Sequence, residues 1–211
     1  MRFEYAITVG DPRSVMLQAY QAQSTGRSHL TKSDVMTALG LVQKHEGVGL
    51  ALVMARYCKD SVETEKALLA VRAECARIAP HYVGVTKARG QGMALRALAD
   101  MAVAHYCRTV DTPGAACHSQ FCSGRGVIRD LEASRLHGKA ISKVCPRCDG
   151  TGLRPIPATR IRSAIEPRLG TLSRGAWERQ WYPLYQAVLA WCHEQESEAE
   201  GFYKRVTSAA L

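Results

Sequence analysis

Cys117-His-Ser-Gln-Phe-Cys122-Ser-Gly-Arg-Gly126 is answered, after 22 residues intervening between Cys122 and Cys145, by Cys145-Pro-Arg-Cys148-Asp-Gly-Thr-Gly152, and the two stretches interrupt an otherwise helical chain. Two cysteine pairs with short internal spacing suit a tetrahedral zinc ion. Each pair grips the ion from a tight turn, and the intervening loop returns the chain to supply the second pair. Both pairs continue as C-x-G-x-G, and glycine after a ligand lets the backbone turn back toward the sulfur without a Cβ clash. The expected ligands are Cys117, Cys122, Cys145 and Cys148, which close the shell of one structural zinc ion and leave no open position for catalysis. His118 competes with Cys117 for the first position, because the first pair is C-x4-C where the second is C-x2-C. A disulfide framework is the rival use of these cysteines. It is disfavoured because Glu4 falls where a signal peptide needs its apolar stretch, and a reducing cytosol suppresses stable disulfides. Cys58, Cys75, Cys107 and Cys192 fall in predicted helices, where a free thiol behaves as a small hydrophobe.

Outward from this segment the pattern is helical. Upstream, Gln91 to about Arg108 predicts a helix burying Leu95, Leu98, Ala102 and Tyr106, ended by Thr112-Pro113-Gly114. Before it, Asp60 with Glu63 has capping-box spacing and opens a helix with Leu68, Val71, Cys75 and Ile78 on one stripe, stopped by Pro80. Leu50–Tyr57 reads as a short apolar helix after the interruptions at Gly47 and Gly49. Thr31 or Ser33 caps a helix carrying Val35, Met36 and Leu39. Residues 1–30 show no sustained period and read as a flexible arm containing the linker-like tract Gln21–Ser28. Downstream, Arg154-Pro155-Ile156-Pro157 is a stiff extended connector, and Ala158 to about Glu166 a short helix broken by Pro167. From Ser173 onward Trp177, Trp181, Leu184, Tyr185, Val188, Leu189 and Cys192 recur at helical spacing, with Pro183 kinking or dividing the helix and an acidic, solvent-facing tail over Glu194–Glu200. That aromatic stripe is core. No period-2 strand series stands out, so the expected class is all-α, with residues 31–211 a helical domain interrupted by a zinc-binding insertion at about 115–152.

The 211 residues are 46% hydrophobic and 22% charged, values of a soluble, packed protein, and no apolar run reaches the roughly 18 residues of a membrane span. A cytoplasmic protein is expected. The net charge is +9, and it is concentrated: Thr86–Gln180 holds 16 basic and 7 acidic residues, while the rest of the chain carries 12 of each. A concentrated basic region attracts polyanions through counterion release.

The stretch from Pro113-Gly114-Ala115-Ala116-Cys117 through Cys145-Pro-Arg-Cys148-Asp-Gly-Thr-Gly152 resembles the antitermination protein Q family of lambda-like phages. The likeness continues in matching order through Asp34-Val35-Met36, Tyr82-Val83-Gly84-Val85, Tyr106-Cys107-Arg108, Pro157-Ala158, Trp177, Pro183-Leu184-Tyr185 and Cys192-His193. It covers nearly the whole chain beyond the N-terminal arm. The C-x-G-x-G pairs alone are shared with zinc-binding chaperones; the ordered set is far more specific. One departure is the first knuckle, C-x4-C here where the resemblance leads one to expect C-x2-C.

The resemblance implies a helical fold with a zinc-bound insertion in a split helix-turn-helix. It implies binding to double-stranded DNA at a late phage promoter, engagement of paused RNA polymerase through its β flap and the σ factor, and read-through of terminators into late genes. No membrane partner is implied, and the setting is the bacterial host cytoplasm. Carried onto this sequence, it keeps the four cysteine ligands and makes the helices ending near Tyr106 and following Pro157 the flanks of the insertion. Thr159, Arg160, Arg162 and Ser163 then open the reading helix. Arginine can fork onto guanine O6 and N7, and threonine or serine can meet a base edge or phosphate. Arg147 and Arg154 suit phosphates. Singly, each arginine reads as a solvated surface charge; together they are the best DNA-contact candidates in the chain.

An enzyme is not expected: no H-E-x-x-H, no H-x-E among the seven histidines and no phosphate-cradling G-x-x-x-x-G-K-[ST] is present. The remaining alternative is a zinc-dependent protein-interaction or chaperone-like module without specific DNA binding.

Overall fold

A computed structural model describes residues 3–10, 31–85, 89–119, 121–170 and 172–209. The chain forms two units, one from residues 1–107 together with 164–211, the other from residues 108–163.

The first unit is helical: α1 (Phe3–Gly10), α2 (Lys32–His45), α3 (Gly47–Val53), α4 (Ser61–Val83), α5 (Arg89–Tyr106), then, beyond the second unit, the latter half of α7 (Ala158–Leu169), α8 (Arg174–Ala176) and α9 (Tyr182–Ala209). The caps that start α2 and α4 are local and legible. Thr31 and Asp34 form a reciprocal capping box, with the Asp34 N–H donating to Thr31 Oγ1 at 3.2 Å and the Thr31 N–H donating to Asp34 Oδ2 at 2.8 Å. Asp60 Oδ1 accepts the N–H groups of Val62 at 2.8 Å and Glu63 at 3.0 Å.

The helix α9 is the hub: α1, α2, α3, α4 and α5 all pack on it. Its buried row runs Leu184, Tyr185, Val188, Cys192, Ala199, Tyr203 and Thr207. Two expectations are corrected along it. The acidic segment Glu194–Glu200 is no detached tail but mid-helix, and its Glu196 is half-buried, 3.0 Å from the Arg56 guanidinium. Pro183 does not divide the helix: helical backbone runs on from the π-helical segment Trp177–Trp181 into α9, with Pro183 in the first turn of α9.

Other prolines also fail to stop helices. Pro80 lies inside α4 and Pro167 inside α7, each within a turn of the end, where only one backbone bond is lost before the helix terminates anyway. Gly49 does not interrupt α3. It lets α3 pack directly on α9, since a Cβ there would strike the Gln195 carbonyl and lie 2.7 Å from the Ala199 methyl. After α3 the chain widens into a π-helical turn, Met54–Cys58.

Residues 3–10, expected as part of an irregular arm, form α1, with Phe3, Ala6 and Ile7 buried against Val35, Val42 and Tyr203. Eight residues are too few for a period to stand out, and a helix of this length is held by packing rather than propensity. Residues 11–30, including the Gln21–Ser28 tract, lie outside the described residues.

In the second unit the strands β1 (Val127–Asp130) and β2 (Ile141–Val144) pair antiparallel, Val127 with Val144 through Asp130 with Ile141, and α6 (Leu131–His137) joins them. This hairpin corrects the expectation of no strands. Four-residue strands in a glycine-rich segment are too short to display a period of two. Among the described residues the protein is therefore mostly helical, with one small sheet, in the insertion.

Candidate metal centre

The four expected cysteines converge. Cys117, Cys122, Cys145 and Cys148 are all buried, their sulfurs lie within 4.8 Å of one another, and Cys122 Sγ is 3.8 Å from Cys148 Sγ. A tetrahedral zinc with Zn–S bonds of about 2.3 Å has sulfur–sulfur edges of about 3.8 Å. The donor set and spacing fit that ion. His118 is exposed and outside the cluster, which leaves Cys117 in the first position.

The two knuckles are near copies related by a local pseudo-two-fold. Backbone φ values run 45°, 83° and 76° at Ser123, Gly124 and Gly126, and 47°, 82° and 71° at Asp149, Gly150 and Gly152. The first pair closes against the second: Cys117 N–H donates to the Gly152 carbonyl at 2.8 Å, and Cys145 N–H to the Gly126 carbonyl at 2.9 Å. At the centre of this exchange a Cβ on Gly126 would fall on the Gly150 carbonyl, and one on Gly152 on the Gly124 carbonyl. The glycines of C-x-G-x-G are thus required by the approach of one knuckle to the other as well as by their φ. The two extra residues of C-x4-C are absorbed before Cys122, where the Ser119 carbonyl accepts both Cys122 N–H at 2.9 Å and Ser123 N–H at 3.2 Å.

Electrostatics favour a cation here. Burial opposes ionisation of Cys145, but the N–H groups of Arg147 and Cys148 and the neighbouring thiols hold it down, to about 7 from its ordinary 9. Burial, with the adjoining thiols, pushes Cys148 up to about 11. A divalent ion bound here would take the place of thiol protons.

Two supporting residues carried little sequence signal. Ile128 packs against the cysteines. The Arg125 guanidinium donates to the carbonyls of Phe121 at 3.0 Å and Cys122 at 3.3 Å, pinning the longer knuckle from outside. An isoleucine after C-x-G-x-G is the one hint the sequence offers for the first; the second is a contact to backbone and leaves no pattern.

The expected DNA-contact residues all fall in the 108–163 unit. Arg147 is exposed between the ligands of the second knuckle, and Arg154 is exposed just past Gly152. Thr159, Arg160 and Ser163 are exposed on the first turns of α7, Ser163 Oγ donating back to the Arg160 carbonyl at 2.9 Å. Arg162 is half-buried on the same turns.

These observations define a mostly helical protein whose insertion carries a buried cluster of four cysteines, arranged in two knuckles, that could hold a metal ion. Residues 112–200 match the family described as Antitermination protein Q, and residues 2–113 match a family of conserved hypothetical proteins. The chain is 32% identical to antitermination protein Q of Salmonella phage P22, and equally to that of Escherichia phage lambda, each over 98% of this chain and 100% of the relative. It is 24% identical to the prophage antitermination protein Q homolog QuuQ of Escherichia coli K12, over 88% of this chain and 92% of that protein. The chain belongs to the antitermination protein Q family. Among the described residues no helix is long and apolar enough to cross a membrane.

Proposed function

We propose that this protein is a phage late-gene transcription antiterminator. It binds a double-stranded DNA element at a late promoter, engages the paused bacterial RNA polymerase through the β flap and the σ factor, and travels with the enzyme past terminators, acting in the host cytoplasm. No catalytic step belongs to this role. The observation that carries the reading is the end-to-end likeness to antitermination protein Q of phages P22 and lambda.

The residues fit the reading. The four cysteines would hold a structural zinc ion, whose contribution is to fix the fold of the insertion. Helix α7 would be the reading helix of a split helix-turn-helix whose other arm is α5, with the insertion between them. At its exposed start Thr159, Arg160 and Ser163, with half-buried Arg162, would meet base edges. Arg147 and Arg154 would hold phosphates and so set the register of the helix on the duplex.

The test is terminator read-through with purified bacterial RNA polymerase on a template carrying the phage's own late promoter region. Read-through is expected only on that template. Absence of read-through with folded, zinc-loaded protein overturns the reading. A salt titration on duplex DNA separates it from a chaperone-like module: affinity should fall steeply with salt, whereas a purely protein-directed module would show no such dependence.

A further inference from the structure

The metal-binding knuckles and the start of α7 are joined by a clasp. The entering and leaving strands of the insertion pair at Ala116 and Leu153, and Arg154 N–H donates to the Ala115 carbonyl at 2.7 Å. On the other side of the same residue, the Arg154 carbonyl accepts Arg108 Nη2 at 2.8 Å. The peptide groups on both sides of Arg154 are therefore tied down, one by backbone and one by a half-buried guanidinium. Arg108 itself is anchored at the head of a bonded turn, in which Thr112 N–H donates to the Thr109 carbonyl at 3.0 Å and Ala115 N–H to the Thr112 carbonyl at 2.9 Å.

From Arg154 onward the chain has little freedom. Pro155 and Pro157 fix their own φ near −65°, and the Pro157 carbonyl accepts the Arg160 N–H at 3.0 Å as the first bond of α7. Direction set at Arg154 is thus passed through three stiff residues to the first turn of the helix.

We infer that Arg108 is a positioning residue for sequence reading: by clasping the Arg154 carbonyl it fixes the first turn of α7 against the metal-binding knuckles. The inference rests on the proposed DNA-binding role. Its physical content is preorganisation. Phosphate contacts set register and base contacts specify, so Arg147 and Arg154 on the knuckle side and Arg160 on the helix must keep a fixed spacing to act on one duplex. A slack clasp leaves each contact available but lets them engage one at a time. Discrimination then falls while general attraction to DNA stays.

The experiment uses full-length, zinc-loaded protein and two duplexes of equal length, one spanning the phage's own late promoter region and one with that sequence scrambled. Affinities are measured across a range of salt. Arg108→Met, which keeps length and removes the donor, should lower the ratio of affinities about tenfold, the discrimination of roughly one base pair. Affinity for the scrambled duplex, its salt slope and zinc content should stay as in the wild type. Arg108→Lys, which retains a donor, should keep most of the ratio. Pro155→Gly with Pro157→Gly changes no charge and should reproduce the loss by loosening the connector.

An unchanged ratio in Arg108→Met overturns the inference. So does an equal loss on both duplexes with a salt slope lower by about one, which would make Arg108 a phosphate contact. If Arg108→Met releases zinc, the proline pair decides, and an unchanged ratio there overturns it. A wild type that prefers neither duplex removes the DNA-binding role itself, and this inference with it.

Discussion

Four thiols within 4.8 Å of one another cannot all ionise unless a cation shares their charge, so a metal ion held here would displace protons and its affinity would rise with pH. Purified protein should hold about one zinc ion per chain, and Cys145→Ser should release it and destabilise the insertion; full zinc occupancy in both Cys145→Ser and Cys148→Ser, measured by metal analysis, would contradict the site. On α7, the proposed reading helix, alanine at Arg160 or Arg162 should cost about 1–3 kcal/mol and relax preference at particular base pairs if that side chain forks onto a base. Arg147→Ala should instead weaken all sequences evenly and lower the salt slope. If neither Arg160→Ala nor Arg162→Ala changes affinity or preference, α7 is not the reader. The half-buried Arg56–Glu196 pair makes a further case. Burial raises the Glu196 carboxyl, but His193, Arg56 and Tyr106 together hold it below the usual carboxylate range. A carboxylate with a depressed folded-state pKa contributes stability that is present above its unfolded pKa and is lost as the pH falls through the folded value. Glu196→Gln should therefore cost about 1–2 kcal/mol at neutral pH, between the values for exposed and buried pairs, and the gap to wild type should close below the ordinary carboxylate range in chemical denaturation.

Among elements, those governed by local rules were readable. Asp60 caps α4, Val71 and Cys75 are buried on the stripe that opens there, and the spacing of the two cysteine pairs picks out the four cysteines that converge. What escaped was set by partners distant in sequence. α1 exists because Val42 and Tyr203 cover Phe3 and Ile7, and Gly49 lies inside a helix because α9 passes against it. Pro183 falls in the first turn of α9, after a π-helical segment that no residue pattern announces. The knuckle glycines were read correctly as turn formers, but their second role, admitting the opposite knuckle's carbonyl, follows only from the pseudo-two-fold. That role predicts an asymmetry among substitutions. Gly138, whose Cβ would meet open space, carries only the strain of its positive φ, whereas Gly126 adds a backbone collision. Gly138→Asn should be nearly neutral, because asparagine tolerates the left-handed region, while Gly126→Ala should destabilise the insertion by about 1–3 kcal/mol and loosen metal binding. Zinc release by a competing chelator, compared between the two variants, checks this; equal behaviour would refute the second role.

Across the whole molecule, charge is divided unevenly between the two units. Residues 108–163 carry ten basic and four acidic side chains, while the much longer helical unit carries eighteen and fifteen. A factor that loads at one DNA element and then departs with polymerase needs reversible attachment to DNA and durable attachment to the enzyme. A purely DNA-anchored factor would act only where it is bound. Attachment to DNA through phosphates is dominated by counterion release and is readily reversed, whereas protein interfaces depend on buried anchors more than on distant charges. The two activities should therefore separate. Arg160→Ala with Arg162→Ala is expected to abolish loading at the promoter, to leave fold and zinc content intact, and to retain affinity for the isolated polymerase flap and σ domain. A pull-down of those fragments, run beside a DNA shift assay on the same preparation, reads both activities at once. Equal loss of the two in a folded, zinc-replete double variant would mean that one surface serves both partners, and the division of labour inferred from charge would be wrong.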